Sequence, residues 1–211
     1  MLQDKWVALW QRAGGGDIGW LRPYERLLLR YAEPRRHYHT IGHVQHCLRE
    51  FDAIRDLADH ADSVEMAVWF HDAIYDPKAK DNEVRSAALA RYVLDVGGFR
   101  EEFGERVAEL VMATAHVTAP LYNDAALLVD ADLAILGQHE PTFDEYERRI
   151  RREYAWVGDA AFAAARAAVL ETFLDRPAIF RVHSMRKAYE DAARANLRRS
   201  LDRLRRGEIL S

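Results

Sequence analysis

Residues 125–136, AALLVDADLAIL, are an apolar run interrupted only by two carboxylates, Asp130 and Asp132. Nearly continuous apolar character predicts a helix that is buried on most sides. A carboxylate taken out of water needs a cation or a shifted pKa to offset its lost hydration. The stretch therefore predicts a core helix whose acidic side chains are neutralised by a partner from elsewhere in the chain.

Helical periodicity extends over the rest of the sequence. Ala, Leu, Arg and Glu recur at helical spacing from end to end, and alternating runs of β-branched residues are absent. Thr40 is placed to cap a helix that ends near residue 61, and Asp62 with Glu65 resembles the capping box of the next one. Asp17 can cap an earlier helix. We expect an all-α fold.

Length, charge and cysteine content limit the class of protein. A chain of 211 residues is long enough for a single domain with a sizeable core. Its 30 Lys and Arg against 34 Asp and Glu give a net charge of -4, which argues against coating of a nucleic acid polymer. The single Cys47 excludes a disulfide framework and a Cys-based zinc site, and we expect it to fill the core of a cytoplasmic protein. No stretch of about 18 apolar residues without a charge occurs, so no membrane span or membrane partner is expected.

Two histidines lie where the predicted helices face the core. His43 falls in the first turn after Thr40, and His71, followed by Asp72, ends an apolar helix. Taken separately, His43 could be a core or capping histidine, and His71 could balance a helix dipole beside a solvated Asp72. Together with Asp132 they offer nitrogen and oxygen donors that suit a divalent metal such as Mn, Fe, Co, Ni or Zn. We therefore expect a metal site.

Asp130 and Asp132 compete for the carboxylate position of this site. Two residues along a helix place them on different faces, so only one can face a single ion. Asp132 shares its face with Leu128, Val129 and Leu136, and we prefer it for that reason.

The spaced set of His43, His71-Asp72 and Asp132 resembles the H…HD…D signature of the HD superfamily of metal-dependent phosphohydrolases. More closely, the chain is similar to a group of uncharacterised bacterial HD-superfamily proteins that share Tyr38-His39-x-x-x-His43, Phe70-His71-Asp72-Ala73-x-Tyr75, Asn82-Glu83-x-x-Ser86-Ala87 and Asp132-Leu133-x-x-Leu136-Gly137. The resemblance implies one HD-type helical domain over residues 1–211, with the motif core at about 30–140 and further helices at about 141–211. The resemblance to cyclic-nucleotide phosphodiesterases is distant. Their His-Asp-x-x-His motif is replaced here by residues 71–76, HDAIYD.

The resemblance also implies roles for individual residues. His43, His71, Asp72 and Asp132 would hold one or two divalent ions, Mg among the candidates, and Asp72 would bridge two ions if two bind. Metal-activated hydroxide would attack phosphorus, and His39 would protonate the leaving oxygen. The alternative for His39 is packing in a loop with Tyr38.

Further polar residues flank this set and carry weaker expectations. Glu83 could orient the attacking water or hold a ligand's ring nitrogen, or could lie at the surface. His116 could bind a second metal or a phosphate oxygen, or could simply end a helix. The loop cations that could draw in a phosphorylated substrate, or stay solvated, are Arg35, Arg36, Lys78 and Lys80.

The expected function is cleavage of a phosphate ester of a small molecule, with a nucleotide as one candidate substrate. A di-iron oxygenase would need further ligands, for which His116 and His139 are the candidates. A non-catalytic module that binds a metal or nucleotide is the third alternative. The charged last helix is expected to be a solvated face that could serve a homodimer contact.

Overall fold

The computed structural model describes residues 2–115 and 123–210, and every regular element in these ranges is helical. The α-helices are α1 (Leu2–Arg12), α2 (Leu21–Tyr31), α3 (Ile41–Asp52), α4 (Ala61–Phe70), α5 (Asn82–Val96), α6 (Glu101–Ala113), α7 (Asn123–Leu133), α8 (Glu140–Glu153), α9 (Asp159–Leu174) and α10 (His183–Arg205). Short 3-10 helices cover Arg55–Leu57 and Ala134–Gly137. The predicted all-α fold is confirmed.

The chain divides into two compact units, Met1–Ala131 and Asp132–Ser211. The boundary falls inside α7, so the last turn of this helix carries Asp132. The organisation as one HD-type domain stays a prediction.

Helix α4 is the central element of the first unit. All its residues from Ser63 to Phe70 are buried, because the segment is apolar on every side except at Glu65. It packs against α1, α3, α5 and α6. Trp6 of α1 meets Trp69 of α4 edge-on, with ring centroids 5.1 Å apart. Such aromatic contacts bury large areas and hold the helix in place, which positions the His71 that follows it.

Several helix ends differ from those expected. Thr40 does cap α3, its side chain accepting a hydrogen bond from the Gly42 N–H at 3.3 Å, but α3 ends at Asp52 and not near residue 61. Asp62 and Glu65 form no capping box, because both carboxylates bind Arg12 and Arg55. Glu65 is almost wholly buried, and a buried carboxylate is better satisfied by guanidinium than by one backbone N–H.

The N-terminus of α2 is also different. This helix starts at Leu21 with Trp20 as its N-cap and without a side-chain cap, so Asp17 does not cap it.

In the second unit, α10 packs against α9 and against Ala134–Gly137. Gly137 lies so close to Tyr189 that an added Cβ would be 2.5 Å from the tyrosine Cβ, which explains the need for glycine there. The arginines of α10 are largely paired within this unit: Arg199 and Arg203 both donate to Asp144, at 2.8 and 2.9 Å. The face of α10 that was expected to be solvated therefore partly contacts α8.

Among the described residues, no helix combines the length and the apolar character needed to cross a bilayer.

Candidate metal centre

His71 lies at the C-cap of α4 with its ring orientation set by the backbone. Its Nδ1 is 2.8 Å from the carbonyl oxygen of Val68, and its residue is almost fully buried. A carbonyl only accepts hydrogen bonds, so Nδ1 carries the proton and the lone pair of the ring lies on Nε2, the nitrogen that would bind a cation. This backbone contact is typical of histidines that ligate metals.

His43 and Asp72 complete a compact triangle of donor atoms. His43 Nε2, from the first turn of α3, lies 2.9 Å from His71 Nε2. The Asp72 Oδ2 lies 3.1 Å from His71 Nε2 and 3.4 Å from His43 Nε2. Ligands at about 2.1 Å from a common ion are separated by about 3.0 Å at right angles and about 3.4 Å at the tetrahedral angle. The three atoms therefore fit neighbouring positions around one divalent ion.

Asp132 and Cys47 lie beside the two imidazoles. One ligand atom each from His43, Cys47, His71 and Asp132 all lie within 4.8 Å of one another. Asp132 belongs to this group and Asp130 does not, and the assignment of Asp132 as a metal ligand stays a prediction. The burial argument that first drew attention to the pair applies more strongly to Asp130, which is fully buried, whereas Asp132 is half-buried. This group of side chains could hold a metal ion.

Cys47 is the residue that sequence reasoning missed. It is buried as expected, but it is more than core filler, because its Sγ lies 3.6 Å from both ring nitrogens of His43. The expectation that a single cysteine excludes a Cys-containing metal site is not supported, because Cys47 belongs to the group that could hold an ion. The available signal was spacing, since residues four apart share a helix face and Cys47 is four residues after His43 on α3.

The electrostatics of the centre favour an ionised Asp72. Burial alone would raise the pKa of this carboxyl, but the neighbouring rings of His71, His39 and His43 hold its pKa well below the usual range. An anionic carboxylate beside imidazole nitrogens is the charge state in which a metal is bound.

His39 lies at the edge of this centre on the loop before α3. Its ring stacks on Tyr75 with centroids 4.0 Å apart and meets Tyr38 edge-on at 5.0 Å. Its centroid is 5.8 Å from that of His43. The ring thus packs with Tyr38 and lies next to the donor set, and its role as a general acid stays a prediction.

Arg36 is not open to a substrate in the way that a loop cation would be. Its side chain is fully buried, and its guanidinium donates to the backbone carbonyls of Asp72 at 2.6 Å, Ala73 at 3.1 Å and His39 at 3.2 Å. It therefore ties the His39 loop to the His71-Asp72 segment. Both arginines pair with Glu33, at 3.2 Å for Arg35 and 3.3 Å for Arg36, but the Arg35 side chain is exposed.

The Asn82-Glu83-x-x-Ser86 motif braces the chain that follows Asp72. Asn82 exchanges two hydrogen bonds with the backbone of Asp76, at 3.0 and 2.9 Å, and Ser86 bonds the N–H and the carbonyl of Ile74. Glu83, half-buried, is the second residue of α5 and lies between these two anchors in the sequence. The motif thus supports the site through Asn82 and Ser86, which had not been assigned a role.

The remaining predicted residues are less informative. Lys78 is exposed, with its N–H bonded to Asp76 at 3.0 Å. His116 lies outside the described residues. His139 is the N-cap of α8, its ring within 3.2 Å of the Thr142 hydroxyl, and it is not in the ligand group around His43.

No protein-family model, curated protein or solved structure matches this chain.

Proposed function

We propose that this chain is a metal-dependent phosphohydrolase of the HD type that cleaves a phosphate ester of a small molecule such as a nucleotide. The observation that carries the proposal is the donor triangle of His43, His71 and Asp72, with edges of 2.9 to 3.4 Å and a His71 tautomer set by Val68. A site built in this way is suited to a cation and has His39 beside it.

Four residues would hold the ion: His43, His71, Asp72 and Asp132. A divalent ion bound there supplies a Lewis acid and lowers the pKa of coordinated water toward about 7. Two imidazoles, with the Cys47 thiol adjacent, favour borderline metals such as Mn, Fe, Co, Ni or Zn over Mg, which prefers oxygen ligands.

The chain's own residues would perform the proton transfer and the positioning. The ring of His39 stacks on Tyr75 and its centroid lies 5.8 Å from that of His43, which supports a proton donor next to the ion. A histidine can release a proton near physiological pH, which suits a general acid. Arg35 is exposed at the rim and can attract an anionic substrate.

The test is hydrolysis by protein stripped of metal and reloaded with Mn or Co. We expect turnover of at least one substrate in a panel of phosphomonoesters and nucleotides, and its loss in His71→Ala and Asp132→Ala. His139→Ala is the matched control and should keep full activity, because this histidine is outside the ligand group.

A His39→Asn variant tests the proposed general acid independently of the metal ligands. It should keep its bound metal while kcat falls by about 100-fold or more for poor leaving groups. Full metal loading without hydrolysis across the panel would refute the proposal. In that event tight nucleotide binding would indicate a binding module, and two irons per chain with oxygen consumption would indicate an oxygenase.

A further inference from the structure

A groove of about 660 Å³ opens on the first unit, away from the donor atoms described above. It lies between α2 and α5, and the loop of residues 16–19 also lines it. Leu27, Phe70, Leu89 and Val93 line its interior. Sites for small molecules typically enclose about 300 to 1,000 Å³ and are mostly apolar, so the groove has the size and character of a ligand site.

Apolar side chains remain exposed around its mouth. Ile18 is 92% exposed, Val96 69% and Tyr92 62%, and all three line the groove. Exposed apolar residues that cluster around a concavity, unlike scattered ones, mark a surface that is covered in use. An occupant with an apolar body would bury them.

A row of cations runs along the same groove. Arg22, Arg26 and Arg30 are spaced four residues apart on α2, which puts them on one side of the helix, and all three line the groove. Within the described residues, no carboxylate forms an ion pair with any of the three, whereas most other arginines of the chain are paired. The acidic side chain in the lining is Asp17, on the loop and not on the arginine row. The row is therefore available to an anion.

We propose that this groove binds a single-chain anionic amphiphile, such as a long-chain carboxylate. The hydrocarbon tail packs on Leu89, Val93 and Val96, and the head group accepts hydrogen bonds from the arginines of α2. A charged hydrogen bond of this kind is both stronger and more specific than a neutral one. A second copy of the protein fits less well, because a two-fold axis through the groove would place the arginine row against itself.

The test is calorimetric titration of the full chain with dodecanoate below its micelle-forming concentration, compared with dodecyltrimethylammonium. We expect one dodecanoate per chain and binding at least about tenfold weaker for the cation of equal tail length. Arg26→Gln combined with Arg30→Gln should weaken dodecanoate binding about tenfold or more. Arg85→Gln, exposed on α5 and outside the groove, is the control and should bind as the parent does.

The apolar part of the groove lining is tested separately with Val96→Asp, at an exposed position where folding should be unaffected. It should weaken dodecanoate binding, with an unchanged circular dichroism spectrum. Equal binding of the two amphiphiles, or no loss in the double arginine variant, would overturn the proposal. Binding to phosphatidylglycerol vesicles without binding of free dodecanoate would overturn it as well, in favour of a membrane surface.

Discussion

Replacing Arg36 by Met should both destabilise the fold and weaken the metal site. The side chain is fully buried and connects two segments, the His39 loop and the His71-Asp72 turn, through three backbone carbonyls. Met keeps most of the apolar volume but offers no donor. Three carbonyl groups would lose the partner that holds them.

The magnitude follows from the number and type of these contacts. Hydrogen bonds to a charged group contribute about 1.5–3 kcal/mol each, but they are not additive, because water replaces part of what is lost. Arg36 also pairs with Glu33 at 3.3 Å, and removing one partner of a buried ion pair costs about 3–5 kcal/mol. We expect a loss in that range for Arg36→Met and less for Arg36→Lys, since one ammonium can reach only some of the carbonyls. Loss of a residue that orients metal ligands should also weaken metal affinity about 10- to 100-fold.

Urea unfolding of metal-free protein measures the first effect, and Mn titration against a chelator measures the second. Arg35→Met is the matched control: it removes the neighbouring arginine, which is exposed and shares the Glu33 ion pair with Arg36 but none of its three contacts to backbone carbonyls. Surface pairs contribute at most about 1 kcal/mol, so this variant should stay close to the parent in both assays. Equal losses in the two variants would refute the role assigned to Arg36.

Two further predictions concern stability alone. The Glu190 carboxylate accepts hydrogen bonds from two backbone N–H groups and from Arg194, and although burial would raise its pKa, these donors hold the pKa below its usual range. Glu190→Gln should therefore cost about 1–3 kcal/mol at pH 7. Because the pKa of Glu190 is lower in the folded state, its ionised form contributes stability at high pH that is lost as the pH falls. The difference in stability between the parent and Glu190→Gln should therefore shrink below about pH 4. A difference in urea midpoints that does not depend on pH would contradict this. Gly137→Ala should lower the free energy of unfolding by about 1–3 kcal/mol, because the added Cβ would meet Tyr189. Gly104→Ala, in the interior of α6, should raise it by about 0.5–1 kcal/mol. The melting temperatures of the two variants should therefore shift in opposite directions.

Local patterns in the sequence were sufficient to predict the all-α fold class and the N-cap of α3. Thr40 caps α3 because the hydrogen bond joins residues two apart, so no distant part of the chain is needed. The predicted capping box at Asp62 is wrong because it depends on contacts from distant parts of the chain. Arg12 and Arg55 come from elsewhere in the chain, and their guanidinium groups compete successfully for the same carboxylates.

The sequence by itself determined which donors are available: His43, His71, Asp72 and Asp132 are polar residues in apolar surroundings, and each could be identified from its neighbours. Only the tertiary structure decided that Arg36 is buried against three carbonyls. Helical periodicity specifies the face on which a side chain lies, but the distance between atoms on different helices depends on how those helices pack.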